Sequence, residues 1–348
     1  MNISADRLRQ LTASIFQGAG CDAAEAARIA EHLVEANLVG HDSHGVIRVA
    51  SYVQWLRSGK VLANQTIEVA FQNDVIAVVD GRFGFGQTIG EQAMQLGIDK
   101  CRKHGLAVVA LRNSGHLGRI GDWPLMAARA GLLSLHFVNT SGAGILVAPF
   151  GGITRRLSAN PIAAGVPIAG AAPIVLDMSA CTIAEGKIRV ALNKGVPVPE
   201  NCIIDSHGKP TTDPRVFYAD PPGAILSIAG HKGYGLAVMC EVLAGALTGG
   251  GCSNPVNAGR VVNGMLSIFL DPARFQADAA FAAEVNRFVA WVKSSEKATS
   301  DGEILMPGEI EERTKARRLR DGIELDETTW SQIAETARSA GVSIQLQV

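Results

Sequence analysis

The stretch GHDSHGVIRV, residues 40–49, gathers His41, Asp42, Ser43, His44 and Arg48 into ten positions. Histidine exchanges a proton near neutral pH without unusual tuning. Arginine grips a carboxylate through two parallel hydrogen bonds. Together they suit a substrate that carries both a carbonyl and a carboxylate. Asp42 or Ser43 can orient the imidazole and raise its basicity, or can serve only as an N-cap for the helix that follows.

A second polar cluster, NSGHLGRIGDWP, comes directly after the β-rich run LAVVAL. Its His116 and Arg119 lie among glycines that let a ligand approach the backbone, although a histidine there also reads as a structural hydrogen-bonder. GHKGYG at 230–235 and MPGE at 306–309 each open a helical stretch, where free amides suit an anion or a plain capping turn. GRFGFGQTIG mimics a dinucleotide fingerprint, but Gly84, Gly86 and Gly90 give GxGxxxG, and no acidic residue ends a second strand at the required distance. GxSxG, HExxH, EF-hand and Walker A patterns are all absent. Acid-base chemistry with anion binding is what remains, and no metal is expected.

These residues must be held by the elements around them. DRLRQLTASIF and AARIAEHLVEANLV show helical spacing, and VIRVASYVQWL predicts a third helix with His44 and Arg48, four apart, on one face near its start. From about residue 66 the runs TIEVAF, VIAVVD, LAVVAL, LSLHFV and PIVLDM alternate with helical segments, so a mixed α/β fold is expected. Past residue 230 the pattern reads as helical. The expected organisation is a helical domain from residues 1–72 and 230–348, and a mixed α/β cofactor-binding domain over 73–229.

Composition limits the partners. With 32 basic and 33 acidic residues the formal charge is -1, which gives no field to attract nucleic acid. The longest apolar run, NPIAAGVPIAGAAPIVLDM, is broken by prolines and too short to span a bilayer. MNISADRLRQ lacks a signal-peptide pattern, and the six cysteines show no CxxC or ligand spacing, so a cytoplasmic protein with reduced thiols is expected.

HDSHGVIRV, NSGHLGRIG, ANPIA, LDMSACTIAEGKIRVA, HKGYG and MPGE occur in this order, and the set resembles the malate/L-lactate dehydrogenase family of the sulfolactate dehydrogenase type over nearly the whole chain. GHDSHG, NSGHLGRIG, GKIRVALNKGVPVP and AGHKGYGLAVMCE look closest to its hydroxycarboxylate dehydrogenase B branch. The resemblance implies a non-Rossmann, NAD- or NADP-dependent homodimer that interconverts 2-oxo and 2-hydroxy acids of the lactate, malate or aryl-lactate type. Ureidoglycolate or 2,3-diketogulonate oxidoreduction by the same machinery is an alternative, and a non-catalytic ligand-binding protein of the same fold is another.

It further implies His44 as proton donor to the substrate carbonyl oxygen, Ser43 as its relay partner and Arg48 as the carboxylate grip. His116 is then a second polar group at the reacting centre, or the acid-base residue itself. Lys187 falls beside the substrate, where the imine-reducing branch is expected to carry aspartate. The cofactor positions implied are His116, Leu117, Gly118, Arg119 and Ile120, then Asn160, then Asp177, Met178 and Ser179, then His231 and Lys232, and last Pro307, Gly308 and Glu309. Arg313, in a basic run with Lys315, Arg317, Arg318 and Arg320, suits a 2'-phosphate or merely faces water. Ala159 stands where the family often has threonine in GTNP, which leaves a hydroxyl missing near the site.

Overall fold

Apolar, β-branched runs pair into one seven-stranded sheet in this computed structural model, which describes residues 1–254 and 259–344. Across the sheet the strands run Glu68–Gln72, Ile76–Asp80, Leu106–Ser114, Val261–Leu270, Leu133–Gly142, Pro161–Val166 and Ile174–Ser179. Neighbours are antiparallel except Ile76–Asp80 beside Leu106–Ser114, which are parallel and joined by the helix Gly86–His104. That helix buries Ile89, Met94 and Ile98 with Val109, Trp123 and Phe269. Its glycines are packing positions: a Cβ at Gly90 would meet the Trp123 ring at 2.6 Å, and one at Gly86 the His116 carbonyl oxygen at 2.2 Å.

Helices from both chain ends share a second core. Ala5–Gly18, Ala23–Leu38, Val49–Arg57 and Glu327–Ser339 supply Leu8, Ile15, Phe16, Ile29, Leu33, Tyr52 and Ile333. Asp22 starts the second of these helices by accepting from the Glu25 amide at 2.7 Å. A third core, with Val147, Ile188, Ile203 and Phe217, forms around the helix Glu185–Lys194 and a small three-stranded sheet.

The expectation that everything past residue 230 is helical needs correction, because Val261–Leu270 is the central strand of the large sheet. VVNGMLSIFL is buried along nearly its whole length, and such a run lacks the alternation that separates a strand from a buried helix. Pro161–Val166 is likewise absent from the sequence reading, since PIAAGV opens on proline and is rich in weak strand formers.

Candidate active site

The segment after the helix Ala23–Leu38 is too short of regular hydrogen bonds to be one helix. Residues Asp42–His44 and Val46–Arg48 form two separate 3-10 turns, and the α-helix begins only at Val49. The expected common helix face for His44 and Arg48 is therefore corrected: extended backbone at Gly45 breaks the run. A Cβ at Gly45 would lie 2.2 Å from Asn37 Oδ1, so only glycine lets the chain turn this tightly over the preceding helix. What joins His44 and Arg48 is a hydrogen bond, Arg48 Nε donating to the Ser43 carbonyl oxygen at 2.7 Å.

Ser43 Oγ lies 3.0 Å from His44 Nδ1 and orients the ring. Asp42 points elsewhere. Its carboxylate accepts from Asn37 Nδ2 at 2.6 Å and from both terminal nitrogens of Arg318, at 2.6 and 3.0 Å. Arg318 also donates to the Asn37 carbonyl oxygen, and His41 Nε2 meets Glu311 Oε1 at 3.3 Å. The charged helix Glu309–Asp321 thus clamps the turn that carries His44.

The second loop brings His116 onto His44, with ring centroids 5.6 Å apart and planes 16° from parallel. His116 Nδ1 lies 2.6 Å from the Tyr52 hydroxyl, and Gln87 Nε2 donates to that hydroxyl at 3.3 Å. Loss of water around the rings dominates their electrostatics. It pushes His44 down to about 3, helped by the charges of Arg48 and His41. Burial, then Arg48 and His44, hold His116 well below the ordinary imidazole value. Burial raises the Tyr52 phenol to about 12 against the opposing pull of Arg48. The resting site therefore holds two neutral imidazoles beside one guanidinium.

Next to the histidines the loop is anchored and charged. The Leu117 amide donates to Asn263 Oδ1 at 2.9 Å, and Gly118 takes a positive φ of 72°. Arg119, buried, donates to Asp122 Oδ1 at 2.7 Å and lies 3.8 Å from Asp177 Oδ2, which also accepts from the Gly121 amide at 2.8 Å. Asp122 bonds His32 Nδ1 at 3.0 Å. Burial lowers His32, yet the bond and charge of Asp122 outweigh it and the group is raised. The loop that carries Arg119 and the strand end that carries Asp177 thus meet through Arg119 and the Gly121 amide.

Other candidates are placed less directly. Lys187 is exposed, one residue past Gly186, where a Cβ would come within 3.2 Å of the Ser43 Cβ. Asn160 is buried and fully engaged: it accepts from Ser158 at 2.6 Å and donates to Glu241 at 2.8 Å and to the Ala237 carbonyl oxygen at 3.1 Å. Ala159 is exposed, and its carbonyl oxygen accepts from Ser179 Oγ at 3.0 Å. His231 and Lys232 open their helix exposed, with His231 against Phe150, and the chain before them is pinned to the Asp177 strand's end by the Ile228 amide on Ala180. Pro307, Gly308 and Glu309 line a cleft with Ile168, Pro173, Asn286 and Lys293. Glu309 closes its own helix turn by accepting from the Met306 amide at 3.0 Å and pairs with Lys293, and Arg313 pairs with Glu303.

These residues fit a dinucleotide cofactor. A Cβ at Gly121 would crowd Asp177 and Arg119, and two helices start uncapped by a side chain at Gly230 and Gly308, where free amides suit an anion. Tyr52, Gln87, Asn37 and Asn263 escaped sequence reasoning. Tyr52 alone carried a signal, standing four residues after Arg48 as Arg48 stands after His44.

The family profile described as malate/L-lactate dehydrogenase matches residues 3–334. The chain belongs to the malate/L-lactate dehydrogenase family. It is 41% identical over 342 residues to hydroxycarboxylate dehydrogenase B of Escherichia coli strain K12, covering 97% of this chain and 94% of that one. It is 37% identical over 347 residues to L-lactate dehydrogenase of Cupriavidus necator, covering 99% of each. Among solved structures, a putative malate/lactate dehydrogenase from E. coli matches with a TM-score of 0.94 at 40% identity, over 99% of this chain and 96% of that one. Members of the malate/L-lactate dehydrogenase family are oxidoreductases acting on the CH-OH group of hydroxy acids, so the substrate is a small-molecule acid. No helix among the described residues is long and apolar enough to cross a membrane.

Proposed function

We propose that the protein uses NAD or NADP to interconvert a 2-oxo acid and a 2-hydroxy acid, with His44 and His116 at the reacting oxygen and Arg48 on the carboxylate. The observation that carries this reading is the stacked pair of imidazoles beside a guanidinium. Each ring has Nδ1 held by a hydroxyl, Ser43 for His44 and Tyr52 for His116, which leaves Nε2 to meet a substrate oxygen. Arg48 spends Nε on the Ser43 carbonyl, and its two terminal nitrogens suit a carboxylate placed against the same turn. Lys187, the exposed residue after Gly186, would add positive charge for an anionic substrate.

When bound, the reduced nicotinamide supplies hydride to the carbonyl carbon. The loop His116–Ile120, the strand end Asp177–Ser179, the helix start at His231 and Lys232, and the Pro307–Glu309 segment would hold the dinucleotide, with Arg313 at its edge. Asn160 would belong to the same set, with its side chain held in place by Ser158, Glu241 and the Ala237 carbonyl oxygen. The protein's part is to fix the carbonyl against the cofactor, polarise its oxygen and exclude water.

A second copy of the chain would cover the helix Asp278–Lys293, whose Phe288 is 50% and Trp291 71% exposed, and a homodimer in the cytoplasm is the proposed form. The deciding experiment follows NADH and NADPH oxidation at the nicotinamide absorbance with pyruvate, oxaloacetate, phenylpyruvate, hydroxypyruvate and diketogulonate. Turnover of one or more supports the reading and names substrate and coenzyme. Absence of turnover with all, in folded protein that also fails to bind either coenzyme, overturns it.

A further inference from the structure

Gln87 and Tyr52 are 0% and 1% exposed and come from different elements, yet both converge on His116. Gln87 sits in the first turn of the helix Gly86–His104, whose start packs directly against the His116 backbone. We propose that Tyr52, steered by Gln87, is a positioning residue that acts through His116: it fixes the ring with its hydrogen on Nε2 and replaces that hydrogen from the far side when the substrate oxygen takes it. The proposal rests on the reading that His116 Nε2 faces the reacting carbonyl.

The hydrogen positions follow from what each group can do. The His116 carbonyl oxygen only accepts, so the edge of the Gln87 amide that faces it, at 3.5 Å, is the nitrogen. That nitrogen also reaches the Tyr52 oxygen at 3.3 Å. A phenol oxygen that accepts from Gln87 directs its own hydrogen to the acceptor on its other side, His116 Nδ1 at 2.6 Å. A neutral imidazole that accepts on Nδ1 carries its one hydrogen on Nε2.

A neutral ring that simply gave up this hydrogen would become an imidazolate, which is too basic a product to form readily. The chain of bonds avoids it. As the carbonyl carbon is reduced, the carbonyl π pair moves to oxygen and forms an O–H bond with the Nε2 proton. The N–H pair stays on the ring, Nδ1 takes the phenolic proton, and the ring ends neutral. Tyr52 is left as phenolate facing the Gln87 N–H, with the Arg48 charge nearby; after the product leaves, His116 Nε2 takes a proton from solvent and Nδ1 returns its own to the phenolate, which restores the resting tautomer. Alcohol oxidation runs the same transfers backwards. Ser43, on His44, orients its ring equally well, but an aliphatic hydroxyl is far less acidic than a phenol and is no comparable proton source. The two histidines are thereby given different tasks.

The test compares wild type and Tyr52→Phe in single-turnover reduction of the best 2-oxo acid, with a proton inventory in mixed light and heavy water, and reads the His116 tautomer from nitrogen-15 chemical shifts. The expected results are a curved inventory in wild type and a linear one in the variant. A rate loss of about 10²–10⁴-fold should accompany this, with substrate and cofactor affinities within about threefold. The wild-type shifts should place hydrogen on Nε2, and Tyr52→Phe should mix the tautomers. If Tyr52→Phe does not fold, Gln87→Leu, which keeps the phenol, should give a smaller loss in rate and a mixed tautomer. An unchanged inventory and rate in the folded variant, or wild-type hydrogen on Nδ1, overturns the proposal. Failure of wild type to reduce any 2-oxo acid would instead strike the functional reading, while the shifts still decide the tautomer.

Discussion

Arg48 and Ser43 are tied by one hydrogen bond, guanidinium Nε to carbonyl oxygen at 2.7 Å, so the proposed anion grip and the proposed proton-exchanging turn move as one piece. In the proposed reading, a substrate carboxylate on Arg48 would thereby be placed at a fixed distance from the His44 ring.

Arg48→Lys keeps the charge but loses both the tie and the fork. KM for the 2-oxo acid should rise by about ten- to a hundredfold, the scale of one charge-assisted hydrogen bond. Steady-state kinetics and coenzyme titration check this, with coenzyme affinity expected to hold.

Arg318 clamps the same turn from outside through Asp42 and the Asn37 carbonyl. Arg318→Ala should lower stability by only about 1–2 kcal/mol, because Asp42 is half exposed and water screens the pair. The effect on kcat should be larger, about ten- to a hundredfold, since the His44 turn loses its outer support. Urea denaturation and kcat, measured together, separate the two effects.

Gly45→Ala puts a methyl group into Asn37, whose side chain is held by the Val46 amide on one side and by Asp42 on the other. The neighbour cannot move away cheaply. A loss of about 1–3 kcal/mol is expected from overpacking, read as a lower urea midpoint.

His136 lies between Ser134 Oγ and Ser267 Oγ, each at 2.9 Å, and burial pushes it down to about 3 from 6.5. The unfolded chain therefore binds the extra proton first as the pH falls. The stability this neutral ring supports is complete above 6.5 and is lost on acidification toward 3, by up to about 1.4 kcal/mol per pH unit. His44 and His116, also held low, act in the same direction, and His32, held high, acts against them. Urea midpoints measured from pH 7 to pH 4 should fall steadily, and His136→Gln should flatten that slope while lowering the midpoint at pH 7.

The main polar groups of the candidate site were legible because they cluster in the chain. HDSHGVIR and NSGHLGRIG each put several polar groups in one turn, and the fold needed only to stack one turn on the other. Residue types and spacing left the choice between Asp42 and Ser43 open, and only the family resemblance pointed to Ser43. The choice depends on Arg318, almost three hundred residues away, drawing the carboxylate outward. Tyr52 and Gln87 were hidden for a related reason: each sits in an amphipathic helix where its type fits an ordinary core or cap position. The helices and five of the seven large-sheet strands followed their periodicity. Val261–Leu270 did not, because a strand covered on both faces loses the alternation that marks a strand.

That central strand also sets the order in which the molecule can be completed during synthesis. When residue 250 has been made, the strands up to Leu106–Ser114 and those from Leu133 to Ser179 exist as two half-sheets, each with an open edge meant for Val261–Leu270. The nascent chain therefore carries two sticky borders until a late ribbon zips them together, and both borders are templates for pairing with a neighbouring chain. A ribosome that stalls before residue 261 would release a product prone to aggregate although the residues of both proposed catalytic turns are already in place.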